Sequence, residues 1–243
     1  MTTPSSTTTT PAEEPAAGTR QSGQRFLLLG DSHAGPVGRA ARAAGIPFAG
    51  GPIGAGRDFN AGFLSVLDGE LAFAKPEAQQ YYRGFLDELG VTGLAGLGIP
   101  LVSTFGFNVH TFATVENWAC YRLPSGEFPA GLLTGRLFDA IVGAMARDAL
   151  AFYRHARGLG LRVLAVLPPQ RVPPMSDPRV FFAAQDSLVR ALRPLGVELV
   201  DLRARVTGPD GHQRPELCEA DDPIHGNLAF GRLILADLLD RGL

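Results

Sequence analysis

Five short apolar runs punctuate the chain: Phe26–Leu29, Ile46–Ala49, Ile99–Phe105, Leu161–Leu167 and Val197–Leu202. Several are stopped by glycine or proline, as at Gly30 and Pro168-Pro169. Continuous apolar runs of this length suit strands buried on both faces, because a half-exposed strand would alternate. Between them lie stretches with helical spacing. Pro36–Ala44 is predicted to be helical, with Gly45 just past its end. Thr134–Gly158 carries Leu137, Ile141, Met145, Leu150 and Phe152 at a period near that of an α-helix. Val180–Leu192 and Asn227–Leu239 read the same way. Strands alternating with helices, and no internal repeat, imply a mostly parallel five-stranded sheet covered on both faces, a three-layer α/β/α sandwich. Ligands of such sheets bind at the carboxyl ends of the strands.

The remaining segments set the organisation. Residues 1–24 are rich in Thr, Ser and Pro, hold no apolar cluster, and are expected to be a disordered tail. They also lack the basic start and apolar core of a secretory signal, which predicts a cytoplasmic protein. Residues 25–243 then form one domain, with insertions at about 57–98, read as mainly helical because Leu64, Leu67 and Leu71 recur at helical spacing, and 109–133, read as a long loop or lid. No apolar run approaches the length of a membrane span. Net charge is −2, from 22 basic and 24 acidic residues, which argues against nucleic acid as the main partner and suits a neutral substrate. Two cysteines, Cys120 and Cys218, lie far apart, make no CxxC pair, and are expected as buried small hydrophobes.

Chemistry-bearing residues gather where strands end. Gly30-Asp31-Ser32-His33 follows the first run, so a Ser hydroxyl there can project into the crevice, with its own N–H near a helix start, or can simply cap that helix. Gly106-Phe107-Asn108 ends the third run, where an Asn amide can donate to an oxyanion. The loop 50–56 is rich in glycine and can present a backbone N–H. Asp222-Pro223-Ile224-His225 precedes the last helix; an Asp can hold one ring nitrogen of a His while the other takes a proton from a nucleophile. Asp221 is a competing carboxylate next to it.

In their order and end placement these blocks resemble the SGNH (GDSL-like) hydrolase superfamily, over about Phe26 to Leu239. The resemblance implies a flavodoxin-like sheet and an esterase acting through an acyl-serine. It implies Ser32, Asp222 and His225 as catalytic residues, with Ser32, Gly54 and Asn108 as the oxyanion hole. Gly54 stands beside Gly51 and Gly56 as alternatives. Val109 replaces the Asp that usually follows the third-block Asn, and His33 replaces the commoner Leu after GDS. Such a site needs no cofactor and no metal, and its partner is a small-molecule acyl ester. Phe107, His110 and Trp118 are candidates to line an acyl or sugar pocket. Acyl transfer by the same site and a non-catalytic binding module are the alternatives. A metallophosphoesterase is disfavoured, because the further ligand blocks expected after Asp31-Ser32-His33 are missing.

Overall fold

The computed structural model describes residues 23–243, and most of the predicted tail, 1–22, lies outside them. The main sheet comprises β1 (Leu27–Gly30), β2 (Ala49–Pro52), β5 (Leu101–Ser103), β6 (Val163–Val166) and β7 (Glu198–Val200), in the order β2-β1-β5-β6-β7. All of its pairings are parallel. A separate antiparallel hairpin joins β3 (Leu64–Leu67) to β4 (Glu70–Phe73). The helices are α1 (Ala34–Ala43), α2 (Pro76–Leu89), α3 (Arg136–Met145), α4 (Arg147–Gly158), α5 (Pro178–Leu192), the short α6 (Arg203–Val206) and α7 (Leu228–Asp240).

Side-chain alternation on the strands builds two cores. Leu27 and Leu29 of β1 and Val163 and Ala165 of β6 face a core closed by α2, α4 and α5. Phe26 and Leu28, with Leu164 and Val166, face the other way, against α1 and α7. The three-layer architecture follows, since each strand must bury both of its sides. The helices start as their sequences direct. Asp177 accepts hydrogen bonds from the N–H groups of Arg179 and Val180 to open α5, and Asn227 accepts one from Phe230 at 3.1 Å to open α7. Across the second core, α1 and α7 pack closely at Gly231, where a Cβ would stand only 2.7 Å from the Pro36 carbonyl carbon.

Four local expectations are corrected. The segment 57–98 is not mainly helical. Leu64 and Leu71, read at helical spacing, lie on the two strands of the hairpin. Their turn is Asp68-Gly69, both residues at positive φ (51° and 81°), the two-residue turn that matches the strands' twist. The second strand is Ala49–Pro52, so Gly50 and Gly51, counted as loop, are strand, while Gly54 and Gly56 follow it. At Gly50 the backbone meets the Leu28 carbonyl so closely that a Cβ would collide with it. The helix expected over 134–158 divides at Ala146, which places Asp148 in the first turn of α4. There its carboxylate accepts the N–H groups of Gly62 (2.7 Å) and Leu64 (3.1 Å) and anchors the hairpin. Cys120 is exposed and Cys218 half-buried, because both sit on surface turns rather than on the strands or helices that feed the cores.

Residues 109–133 contain the short 3-10 turns Val109–Thr111 and Ala119–Tyr121 and the start of a third, Leu132–Thr134, and no α-helix or strand. Among the described residues no helix is long and apolar enough to cross a membrane.

Candidate active site

The strand order reverses around β1. The chain steps from β1 to β2 on one side, then returns to place β5 on the other. A crevice opens at such a reversal, at the carboxyl ends of the strands. Ser32 occupies the turn directly after β1, and Asn108 follows β5. The turn is held from within. The Ala34 N–H donates to the Asp31 carbonyl at 3.0 Å, and Gly35 to the Ser32 carbonyl at 3.1 Å. His33 is the N-cap residue of α1 and no side chain caps that helix, so the Ser32 hydroxyl is not spent on capping.

That hydroxyl meets His225. Ser32 Oγ lies 2.8 Å from His225 Nε2, and His225 Nδ1 lies 2.6 Å from Asp222 Oδ2. A carboxylate beside Nδ1 fixes the proton there and leaves Nε2 as the acceptor for the hydroxyl. The other Asp222 oxygen, Oδ1, accepts the N–H groups of Ile224 and His225, both at 2.8 Å. Partial burial alone would raise the Asp222 carboxyl; the bonds from the His225 ring and these two N–H groups prevail and hold it down at about 2. Of the two adjacent acids it is therefore Asp222 that reaches the imidazole. Asp221 sits at φ 55°, the left-handed conformation that turns the chain into this loop.

Ser32, His225 and Asp222 line one cleft of about 630 Å³, together with Gly35, Pro36, Arg39, Pro52, Gly54, Ala55, Tyr81 and Glu219. Among the described residues the N–H groups of Ser32 and Gly54 donate to no acceptor in the chain. Both belong to this cleft and are free to meet an anion. Asn108 is placed differently. Its side chain is buried, and its amide donates to the Gly56 carbonyl and to Asn60 Oδ1 (3.2 Å). It thus braces the 56–60 turn that follows Gly54.

Of the candidate pocket residues, Phe107 and Trp118 are corrected. Both are buried in the larger core. Trp118 packs 4.9 Å from Phe138 and donates its indole N–H to the Phe112 carbonyl at 3.0 Å. Large aromatic surfaces gain more by burial there than by lining a wet cleft. His110 does approach the site, with its ring 6.4 Å from that of His33, which is 5.1 Å from that of His225. Burial pushes the His33 imidazole down to about 3 and His110 to about 4, so both are neutral at pH 7. Beneath them Asp31 is fully buried. Its Oδ1 accepts the Thr104 hydroxyl at 2.8 Å and the His33 N–H at 3.0 Å, yet loss of solvent still lifts its carboxyl to about 6.

Three cleft residues were not singled out by sequence reasoning. Arg39 follows Gly35 by one helical turn on α1, and Glu219 lies on the same loop as Asp222; the two form an ion pair at 3.3 Å. Projecting α1 forward from Ser32 would have found Arg39. Tyr81 comes from α2, and no local pattern links it to Ser32.

Among the described residues no group of three or more His, Cys, Asp or Glu side chains is arranged to hold a metal ion. No family model and no curated protein matches the chain. Solved structures do. A GDSL-like lipase from Bacteroides thetaiotaomicron is 13% identical, over 91% of this chain and 88% of that one, with a TM-score of 0.48. TesA is 16% identical, over 89% and 97%, with a TM-score of 0.44. A lipase/acylhydrolase from Enterococcus faecalis is 14% identical, over 90% and 95%, with a TM-score of 0.43.

Proposed function

We propose that this chain is a serine hydrolase that cleaves a carboxylic ester, carrying an O-acetyl or other short acyl group, through an acyl-Ser32 intermediate. One observation carries the reading: the unbroken hydrogen-bonded line from Asp222 through His225 to the Ser32 hydroxyl, opening on a cleft with two unengaged N–H groups.

In this scheme Ser32 Oγ attacks the acyl carbonyl while His225 Nε2 takes its proton. Asp222 stabilises the imidazolium so formed and remains ionised itself. The N–H groups of Ser32 and Gly54 meet the oxyanion of the tetrahedral intermediate. One such donor is worth roughly 2.7–4 kcal/mol of transition-state stabilisation. Asn108 acts as a third donor only if its amide leaves the Gly56 carbonyl or Asn60; otherwise it supports Gly54 from behind. His225 then returns the proton to the leaving alcohol, and water, activated by the same imidazole, releases the acid. Gly54 and Ala55 line the cleft beside Ser32, and their lack of bulk suits a short acyl group.

The reading is tested with a panel of acetylated sugars, short acyl esters and acyl thioesters. Turnover of at least one class, lost in Ser32→Ala, is expected. Hydrolysis that persists in Ser32→Ala would overturn it.

A further inference from the structure

Asp222 and His225 ride on one loop, and that loop is closed at its neck. Cys218 and Gly226 form an antiparallel bridge, and the Glu219 N–H donates to the His225 carbonyl at 3.0 Å. Residues 219–225 therefore leave and re-enter the fold at a single point. From the α7 side, the Asn227 amide donates to the carbonyls of Glu216 (2.9 Å) and Cys218 (3.0 Å), just outside the neck.

From the sheet side the loop is gripped by Arg171. Its Nη1 donates to the Glu219 carbonyl at 2.8 Å and to the His225 carbonyl at 2.9 Å, the first and last residues of the loop. Arg171 belongs to the segment after β6, 54 positions away from His225 in the chain. Its own backbone is fixed next door. The Gln170 N–H donates to Gln213 Oε1 at 3.1 Å, and the Gln213 N–H returns to the Gln170 carbonyl at 2.9 Å. A half-buried guanidinium thus hangs from an anchored point and ties the end of β6 to the histidine loop.

The consequence is geometric. His225 reaches Ser32 at 2.8 Å, and a separation of roughly 3.6 Å is no longer a hydrogen bond. Less than an ångström of drift in the His225 backbone would break the line. We infer that Arg171 is a positioning residue of this site: by gripping both ends of the 219–225 loop it keeps His225 Nε2 within proton-transfer distance of the Ser32 hydroxyl. The inference rests on the hydrolase reading above. Arg171 touches no reacting atom in that scheme and acts only through the loop.

The experiment compares the full chain with Arg171→Ala, Arg171→Met (length without donors) and Arg171→Lys. Active sites are counted with a fluorophosphonate, and hydrolysis of p-nitrophenyl acetate is followed per counted site. A residue needed only for folding would lower the count and leave turnover per site unchanged. A positioning residue lowers kcat per site. The expected loss is about 10- to 100-fold in Arg171→Ala and Arg171→Met, the range for misplacement of a reacting group by up to about 1 Å, with KM within about twofold. Arg171→Lys, which keeps a donor but is shorter, should recover part of it. If Arg171→Ala does not fold, the Met and Lys variants decide. Wild-type kcat per site in Arg171→Met overturns the inference while leaving the hydrolase reading intact. A native chain that is neither labelled nor active overturns the reading beneath it, and the inference with it.

Discussion

Gly231 offers a test of how the helix layer sets the site. It lies in the first turn of α7, immediately after the loop that carries His225, and faces the backbone of α1, which follows Ser32. Replacing it with Ala would put a Cβ 2.7 Å from the Pro36 carbonyl carbon and closer still to its oxygen. Ordinary contact begins at 3.4 Å, so the two backbones must part by about 0.7 Å or more. The colliding atoms are main chain and cannot swing aside as a flexible side chain would. Overpacking of this kind costs about 1–3 kcal/mol. For a domain of this size that is a fall in Tm of about 2–12 °C. The same displacement separates His225 from Ser32, and a misplacement approaching 1 Å lowers kcat by up to about 100-fold. Thermal melts and ester hydrolysis per titrated active site would be measured on the same preparations. Both a lower Tm and a lower kcat per site are expected. A Gly231→Ala protein that melts and turns over like the native one would refute the claim that α1–α7 contact sets the Ser32–His225 distance.

Other perturbations give distinct outcomes. Asp222→Asn keeps the shape of the loop but cannot hold the proton on Nδ1, so kcat should fall by roughly 10⁴-fold near neutrality, as in the serine protease case; a loss under tenfold in steady-state assays would contradict the role given to this carboxylate. Asp31 binds its proton more tightly folded than unfolded, because burial raises its carboxyl from the ordinary 3.8 to about 6. Its contribution to stability is therefore complete below pH 4 and lost as pH rises through 6. The stability of Asp31→Asn relative to the native chain should then rise over that window, and denaturant midpoints at closely spaced pH values would show it; a pH-independent difference would contradict it. His110 has the opposite sign. Its folded value of about 4 lies below the ordinary 6.5, so the native state loses stability as pH falls from 6.5 towards 4. His110→Gln should remove part of that acid loss in thermal melts, and an undiminished acid loss would argue against burial as its cause.

Much of the scaffold was legible because its signals are local. Leu27 to Leu29 could only be a strand buried on both sides, and Asn227 announced the last helix. Ser32 and the Asp222–His225 pair stood out because strand ends and helix starts are where such residues project into a crevice. The hairpin was misread because Leu64, Leu67 and Leu71 fit a helical period as well as a strand pair. The deciding signal was the Asp68-Gly69 turn, which periodicity alone ignores. Phe107 and Trp118 were assigned to a pocket by their chemistry, yet a core claims aromatic side chains first. Arg171, Tyr81 and the spent amide of Asn108 were beyond reach for a different reason. Their partners lie tens of residues away in sequence, and such pairings exist only once the sheet order is known.

The central claim is that acyl transfer passes through Ser32. Turnover of p-nitrophenyl acetate can be quenched in acid within the first cycles and the digested protein mapped by mass. An acetyl group is expected on the peptide bearing Ser32, released on incubation at neutral pH and absent from Ser32→Ala, which should be inactive. Full turnover with no acyl group on that peptide, or activity retained in Ser32→Ala, would contradict it.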